Sequence, residues 1–122
     1  MLWLNTVESV STMTEDPQFI SYRFASNSEL EQTANLFLLD CEARNLSAAS
    51  LRYYWQRLRL LLTFLESQHV TAPGAITPAL LRAYFLTFKG KSPHYLHGAA
   101  RVAKTFLNFL VREELLKDSP MR

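Results

Sequence analysis

The stretch SELEQTANLFLLDCEARNLSAASLRYYWQRLRLLLTFL, residues 28–65, decides the fold of this 122-residue chain. Ser28 and the glutamate three residues later match a capping box, and apolar residues then recur at helical spacing up to Cys41. This pattern predicts a first helix over 29–43. Ser47 is a good cap for a second helix over 48–67, which carries the longest apolar stripe in the sequence.

The same start signals occur twice more. Thr77-Pro78 and Ser92-Pro93 each place a capping residue before a proline at the first helical position, which predicts helices over 78–88 and 93–115. The connections are short and no strand pattern is convincing. The sequence therefore predicts an all-α protein, a four-helix bundle.

The apolar stripes of these helices predict the core, in which Cys41 is a small buried residue and Trp55 is also placed. A single cysteine forms no internal disulfide, and no Cys/His cluster has zinc-ligand spacing. The predicted core residues are Leu30, Ala34, Phe37, Leu38 and Cys41; Leu51, Tyr54, Trp55, Leu58, Leu61, Leu62, Phe64 and Leu65; Leu80, Leu81, Tyr84 and Phe85; Leu96, Ala99, Ala100, Ala103, Phe106, Leu107, Leu110 and Val111.

Residues 1–27 show neither helical nor strand periodicity, which predicts a largely irregular N-terminal leader. Alternatively, Phe19, Ile20, Tyr22 and Phe24 form a short extended piece packed on the body of the protein. No apolar run is long enough to span a membrane, and the N-terminus lacks the pattern of a signal peptide. The expectation is a soluble cytoplasmic protein with no membrane partner.

Charge is distributed unevenly along the sequence. Residues 1–42 carry seven acids and one base, whereas residues 43–111 carry nine bases and one acid, Glu66. The net charge of +2 conceals this difference. Such asymmetry indicates a surface on the middle of the chain that faces a polyanion.

Many of these bases fall on two helix faces that contain no acid. Arg52, Gln56 and Arg59, with Tyr53 beside them, lie opposite the apolar stripe of the second helix. His94, His97, Arg101, Lys104 and Asn108 do the same on the fourth helix. Arg and Gln can contact base edges and Lys, His and Tyr can reach phosphates, so both faces suit a DNA groove. An ordinary solvated surface is the alternative.

Nothing in the sequence points to catalysis by this chain. It contains no nucleophile elbow, phosphate-binding loop or metalloprotease motif, and its five tyrosines have no sequence signature of activation. His94 and His97 lack a third ligand at suitable spacing, so no metal site is predicted. We expect no cofactor. Lys89-Gly90-Lys91 is a loop that either touches a phosphate or is merely flexible.

Three blocks of sequence resemble a known family. LSxxSLxxY at residues 46–54, ITPxxLRAYF at residues 76–85, and KTFLNFLVRE at residues 104–113 followed by SPM at residues 119–121 are similar, in order and spacing, to the N-terminal core-binding domain of tyrosine recombinases, the phage integrase family. The resemblance covers about residues 28–122. It implies a SAM-like, orthogonal four-helix bundle over 28–117 and the start of a linker over 118–122.

The resemblance also implies a function, which is to form one half of a clamp around double-stranded DNA at a recombination site. The implied partners are the C-terminal catalytic domain of the same protein and neighbouring recombinase protomers. Cleavage belongs to that catalytic domain, so this fragment is expected not to be an enzyme and has no predicted catalytic residue. Gly98 departs from the family, which often has a basic residue there; the glycine costs about 1 kcal/mol in a helix interior and removes a contact.

Together, the polar faces, the loop and the resemblance predict a set of DNA-binding residues. They are Arg52, Tyr53, Gln56, Arg59, Lys91, His94, Tyr95, His97, Arg101 and Lys104. The competing hypothesis is a helical protein–protein interaction module that binds no nucleic acid, with the acidic outer face of the first helix meeting a basic partner.

Overall fold

The computed structural model describes residues 22–121 and contains four helices within them. These are α1 (Glu29–Ala43), α2 (Ala48–Ser67), α3 (Pro78–Leu86) and α4 (Pro93–Arg112), with a short 3-10 turn (Pro73–Ala75) between α2 and α3. Residues 22–121 include no strand. The predicted all-α, four-helix architecture is confirmed.

Every helix begins at the residue that the sequence predicts. The side-chain oxygens of Ser28, Ser47, Thr77 and Ser92 each accept a hydrogen bond from the backbone N–H three residues later, at 3.1 Å in all four cases. These bonds satisfy N–H groups that have no partner within the helix. The predicted caps are therefore confirmed.

The C-terminal ends of α3 and α4 are earlier than predicted. α4 ends at Arg112 rather than at residue 115, because Glu114 adopts a positive φ of 63° and the N–H of Leu115 turns back to the carbonyl of Leu110. α3 ends at Leu86 rather than at residue 88, in a turn that reaches Gly90 at a φ of 94°. A left-handed residue closes a helix by satisfying its last carbonyls.

The core forms around α1, which packs against both α2 and α4. The ring of Phe37 is fully buried at their junction, with centroid distances of 5.7 Å to Tyr54 of α2 and 5.6 and 5.4 Å to Phe106 and Phe109 of α4. All five predicted core residues of α1 are completely buried. Edge-to-face ring contacts of this kind add to the free energy of burying apolar area.

The core prediction for α4 is wrong at Leu96, which remains 38% exposed near the start of the helix. Val102 and Phe109, which the predicted stripe omits, are buried. Because α4 is covered by α1, α2 and α3, its buried face is wider than a single stripe.

α3 completes the bundle by packing against α2 and α4. Tyr84 lies between Phe64 of α2, at 5.4 Å, and Phe88, at 5.0 Å, and the ring of Phe88 in turn lies 5.4 Å from that of Tyr95. Burial raises the pKa of the Tyr84 hydroxyl well above its ordinary value. Ring contacts therefore continue from the core, through Tyr84 and Phe88, to Tyr95 at the start of α4.

Residues 22–27 are irregular but attached to the bundle. The side chain of Asn35 accepts a hydrogen bond from the N–H of Phe24 at 2.7 Å and donates to its carbonyl at 3.1 Å. Phe24 and Tyr22 pack on Trp55. These two residues therefore agree with the alternative of a segment packed on the body, whereas Phe19 and Ile20 lie outside the described residues.

Cys41 provides a test of this core. Its side chain is fully buried, and burial raises the pKa of the thiol, although Arg44 opposes the shift. We expect a thiol reagent at pH 8 to react with the native protein at least about tenfold more slowly than with the urea-unfolded chain, because little thiolate is present and access is blocked. Absorbance of the released chromophore measures the rate. Equal rates in the native and unfolded states would contradict the packing of α1.

Candidate nucleic-acid interface

The predicted DNA-binding residues of α2 and α4 lie on the outer surface of the bundle. We call the following set the basic face: Arg52, Gln56 and Arg59 on α2, and His94, His97, Arg101 and Lys104 on α4. All except the half-buried Gln56 are exposed. α2 packs directly on α4, and Gly98 allows the two helices to approach closely.

Gly98 of α4 lies directly against the side chain of Tyr53 of α2. A Cβ atom placed on Gly98 would collide with the hydroxyl oxygen of Tyr53, and it would lie 3.7 Å from the carbon that bears this oxygen. The glycine therefore makes room for a tyrosine from the neighbouring helix. This packing role, rather than a missing contact, accounts for a glycine inside α4 despite its cost.

Two of the predicted cations lie against two of the predicted tyrosine rings. The guanidinium carbon of Arg101 lies 5.8 Å from the ring centroid of Tyr53, and the ammonium of Lys91 lies 5.7 Å from that of Tyr95. Such distances permit cation–π attraction. We use the name tyrosine cluster for these four residues and Arg57: Tyr53, Tyr95, Lys91, Arg101 and Arg57.

Arg57 is the residue that the sequence interpretation missed. Its guanidinium carbon lies 5.0 Å from the centroid of Tyr53 and 4.5 Å from that of Tyr95, so it contacts rings from both helices. The i,i+4 spacing between Tyr53 and Arg57 was the available signal, because residues so spaced are neighbours on a helix. The contact with Tyr95 depends on how α2 packs on α4.

Arg59 lies apart from the tyrosine cluster. Its guanidinium carbon is 5.5 Å from the ring of Trp55, whose indole N–H donates to the carbonyl of Arg23 at 3.3 Å. Trp55 is half-buried between this cation and the rings of Tyr22 and Phe24. Trp55, which the sequence analysis predicts in the core, is therefore only partly buried and lies beside Arg59 of the basic face.

Four other predicted residues are presented without any fixed contact. Within residues 22–121, no hydrogen bond, ion pair or ring contact of their side chains holds Arg52, Gln56, His94 or His97. Lys104 borders a cleft of about 530 Å³ that Asn108, Arg112 and Met121 also line. These side chains are available to a binding partner, but the protein does not fix their positions.

None of the ion pairs of the described chain includes a residue of the basic face. Arg23 binds Glu42 at 2.6 Å, Arg44 and Arg112 both bind Asp40, and Arg112 also lies near Glu113. Of the nine bases in residues 43–111, only Arg44 forms an ion pair with a described residue. The positive charge of α2, and that of α4 before Arg112, is therefore not neutralised by acids from residues 22–121.

Neither a metal centre nor a membrane segment is found in the part of the chain that the structure describes. Its His, Cys, Asp and Glu side chains form no group of three or more suited to hold a metal ion. None of its helices combines the length and the hydropathy needed to cross a bilayer. A comparison with known proteins finds no matching family model, no similar curated protein and no similar solved structure.

The contact between Gly98 and Tyr53 can be tested by a double-mutant cycle. In a Tyr53→Phe background, Gly98→Ala should stabilise the protein by up to about 1 kcal/mol, because alanine favours a helix and the colliding hydroxyl is gone. In the wild type, the same substitution should give no gain or a loss, since the half-buried tyrosine must move. Urea denaturation followed by circular dichroism measures both changes. Equal effects of Gly98→Ala in the two backgrounds would refute the contact.

Proposed function

We propose that this chain is the DNA-binding, core-binding domain of a site-specific tyrosine recombinase or integrase, and that it contacts double-stranded DNA through the basic face. The observation that carries the proposal is the unneutralised charge of the bases on α2 and on α4 before Arg112. Eight bases of residues 43–111 have no acidic partner within residues 22–121, although acids on α1 pair with Arg23, Arg44 and Arg112. A surface of this kind attracts a polyanion.

The chemistry of the basic face favours duplex DNA among polyanions. Arg52, Gln56 and Arg59 lie on one exposed stripe of a 20-residue helix, the size of element that the major groove admits. Arg and Gln side chains can fork onto guanine and adenine edges. Lys and His side chains on α4 supply contacts to phosphates, which fix the register of the protein on the duplex.

The resemblance of residues 28–122 to core-binding domains supports the recombinase part of this proposal. In that reading, cleavage and rejoining of the strands take place in a separate catalytic domain, which is one partner of this chain. Neighbouring protomers on the same DNA are others. The chain acts on DNA in the cytoplasm, and its own contribution is binding without catalysis.

A protein–protein interaction module is the second candidate, and one feature favours it. A groove of about 400 Å³ lies between α1 and the end of α4, lined by Leu36, Leu39, Phe109 and Leu115 among others. Leu36 and Leu39 are about half exposed, at 48% and 53%. An apolar patch of this kind is a common feature of interfaces. It lies where the ion pairs are, whereas the basic face lies on α2 and the outer side of α4.

Titration of the protein with a short mixed-sequence duplex tests the leading proposal. If about four phosphates are neutralised, the logarithm of the binding constant should fall with the logarithm of salt concentration with a slope of about −3 to −4. Fluorescence anisotropy at several salt concentrations measures it. Replacing Arg52 and Arg59 together by Gln should reduce the steepness of this slope by almost two. Each substitution removes a cation close to the phosphates that border the groove, and each phosphate left without a cation contributes about 0.9.

The matched control replaces Arg44 and Arg112 by Gln, which changes the net charge equally. Both are more than half exposed and bind Asp40, so their loss should cost at most about 1 kcal/mol of stability and leave the slope almost unchanged. Equal slopes for the two double variants would mean that DNA binding depends only on the net charge of the protein and not on the basic face. No binding by the wild type at low salt would exclude the proposal and favour the interaction module.

A further inference from the structure

Arg57 is held in one place by aromatic rings that come from two helices. Its guanidinium carbon lies 5.0 Å from the Tyr53 ring of its own helix and 4.5 Å from the Tyr95 ring of α4. The residue is half-buried, and Tyr53 is itself locked against Gly98. An arginine on the surface normally samples many rotamers, whereas this one is positioned before any ligand arrives.

The hydrogen-bonding capacity of this positioned group is not used. The Nε atom of Arg57 is buried, and no atom of the described chain accepts a hydrogen bond from it. None of the ion pairs within residues 22–121 includes Arg57. Folded proteins rarely leave a buried donor unpaired, so Nε is fixed by the rings rather than by a hydrogen bond. The two Nη groups also lack a hydrogen bond within the described chain and, unlike Nε, are not fully buried, so a ligand can reach them.

Two further cations lie against the same rings. Lys91 approaches Tyr95 and Arg101 approaches Tyr53, at 5.7 and 5.8 Å, and both are exposed and unpaired within the described chain. Glu66, the one acid of residues 43–111, is nine residues beyond Arg57 on α2, about 13 Å along the helix axis. Three like charges gathered without a counter-ion repel one another, and a bound anion removes that repulsion.

We propose that the tyrosine cluster is a preformed site for one phosphate of the DNA backbone, anchored by Arg57 and completed by Lys91 and Arg101. The inference rests on the proposed function and adds to it a residue outside the predicted binding set. A phosphate fits better than a base edge, because a guanidinium held at the junction of two helices cannot extend into a groove. Arginine binds phosphate in a bidentate manner, and lysine adds a point charge.

This assignment gives the tyrosine cluster a role distinct from that of the exposed stripes. Arg52 and Gln56 are free to adjust to the bases that they meet, whereas Arg57 is fixed relative to both helices. A fixed phosphate contact carries no sequence information but sets the position of the domain on the duplex. Its loss should weaken binding to all sequences alike.

The test compares variants of the protein by anisotropy with a mixed-sequence duplex at several salt concentrations. Arg57→Gln should weaken binding about tenfold and reduce the steepness of the salt slope by about one. Arg57→Lys keeps the charge but loses the planar fork, so it should bind about fivefold more weakly at an almost unchanged slope. The control Arg82→Gln removes one exposed, unpaired charge from α3 and should change affinity by less than about twofold.

A measurement on the wild type avoids the difficulty that a variant misfolds. The Nε–H resonance of Arg57, identified by its loss in Arg57→Lys, should shift when duplex is added and return when salt displaces it. Thermal unfolding of each variant shows whether its fold is retained. If Arg57→Gln behaves like Arg82→Gln, or the resonance does not move while DNA binds, the phosphate site is wrong and the proposed function stands. If the wild type binds no DNA, both proposals fail.

Discussion

The packing of Phe37 is the interaction on which the rest of the structure depends. Its buried ring contacts Tyr54 of α2 and Phe106 and Phe109 of α4, so one residue of α1 fixes how two other helices are turned. Because successive residues of a helix are about 100° apart around its axis, turning Tyr54 inward places Tyr53 at the border with α4. The tyrosine cluster is thus a consequence of the register of the core.

The same register separates the charges of the molecule. The acids of α1 are matched by Arg23, Arg44 and Arg112, whereas the bases of α2 and the outer side of α4 have no such partners in the described chain. Uncompensated like charge lowers the free energy of unfolding through self-repulsion. Such a surface lowers the stability of the free protein, and any polyanion that binds only the folded state raises it again.

The parts of this structure that follow local rules are predictable from the sequence. Each cap depends on one side chain and an N–H three residues away, and the α1 stripe depends only on helical spacing, so both are correct. The contacts of Arg57 with Tyr95 and of Gly98 with Tyr53 were not predicted from the sequence, because each joins α2 to α4. Leu96 fails for a similar reason, since its spacing suits the stripe but Phe88 and Arg57, which reach the start of α4 at Tyr95, leave Leu96 38% exposed.

Gly98 and Tyr53 also constrain how this sequence can change over evolutionary time. A side chain at position 98 is accommodated without displacing its neighbour only when position 53 no longer projects a hydroxyl toward it. The order of the two substitutions therefore matters. A change at position 53 that comes first removes the hydroxyl, whereas a change at position 98 that comes first collides with it. Because the two helices approach closely here, the side chain at position 53 determines which substitutions position 98 tolerates.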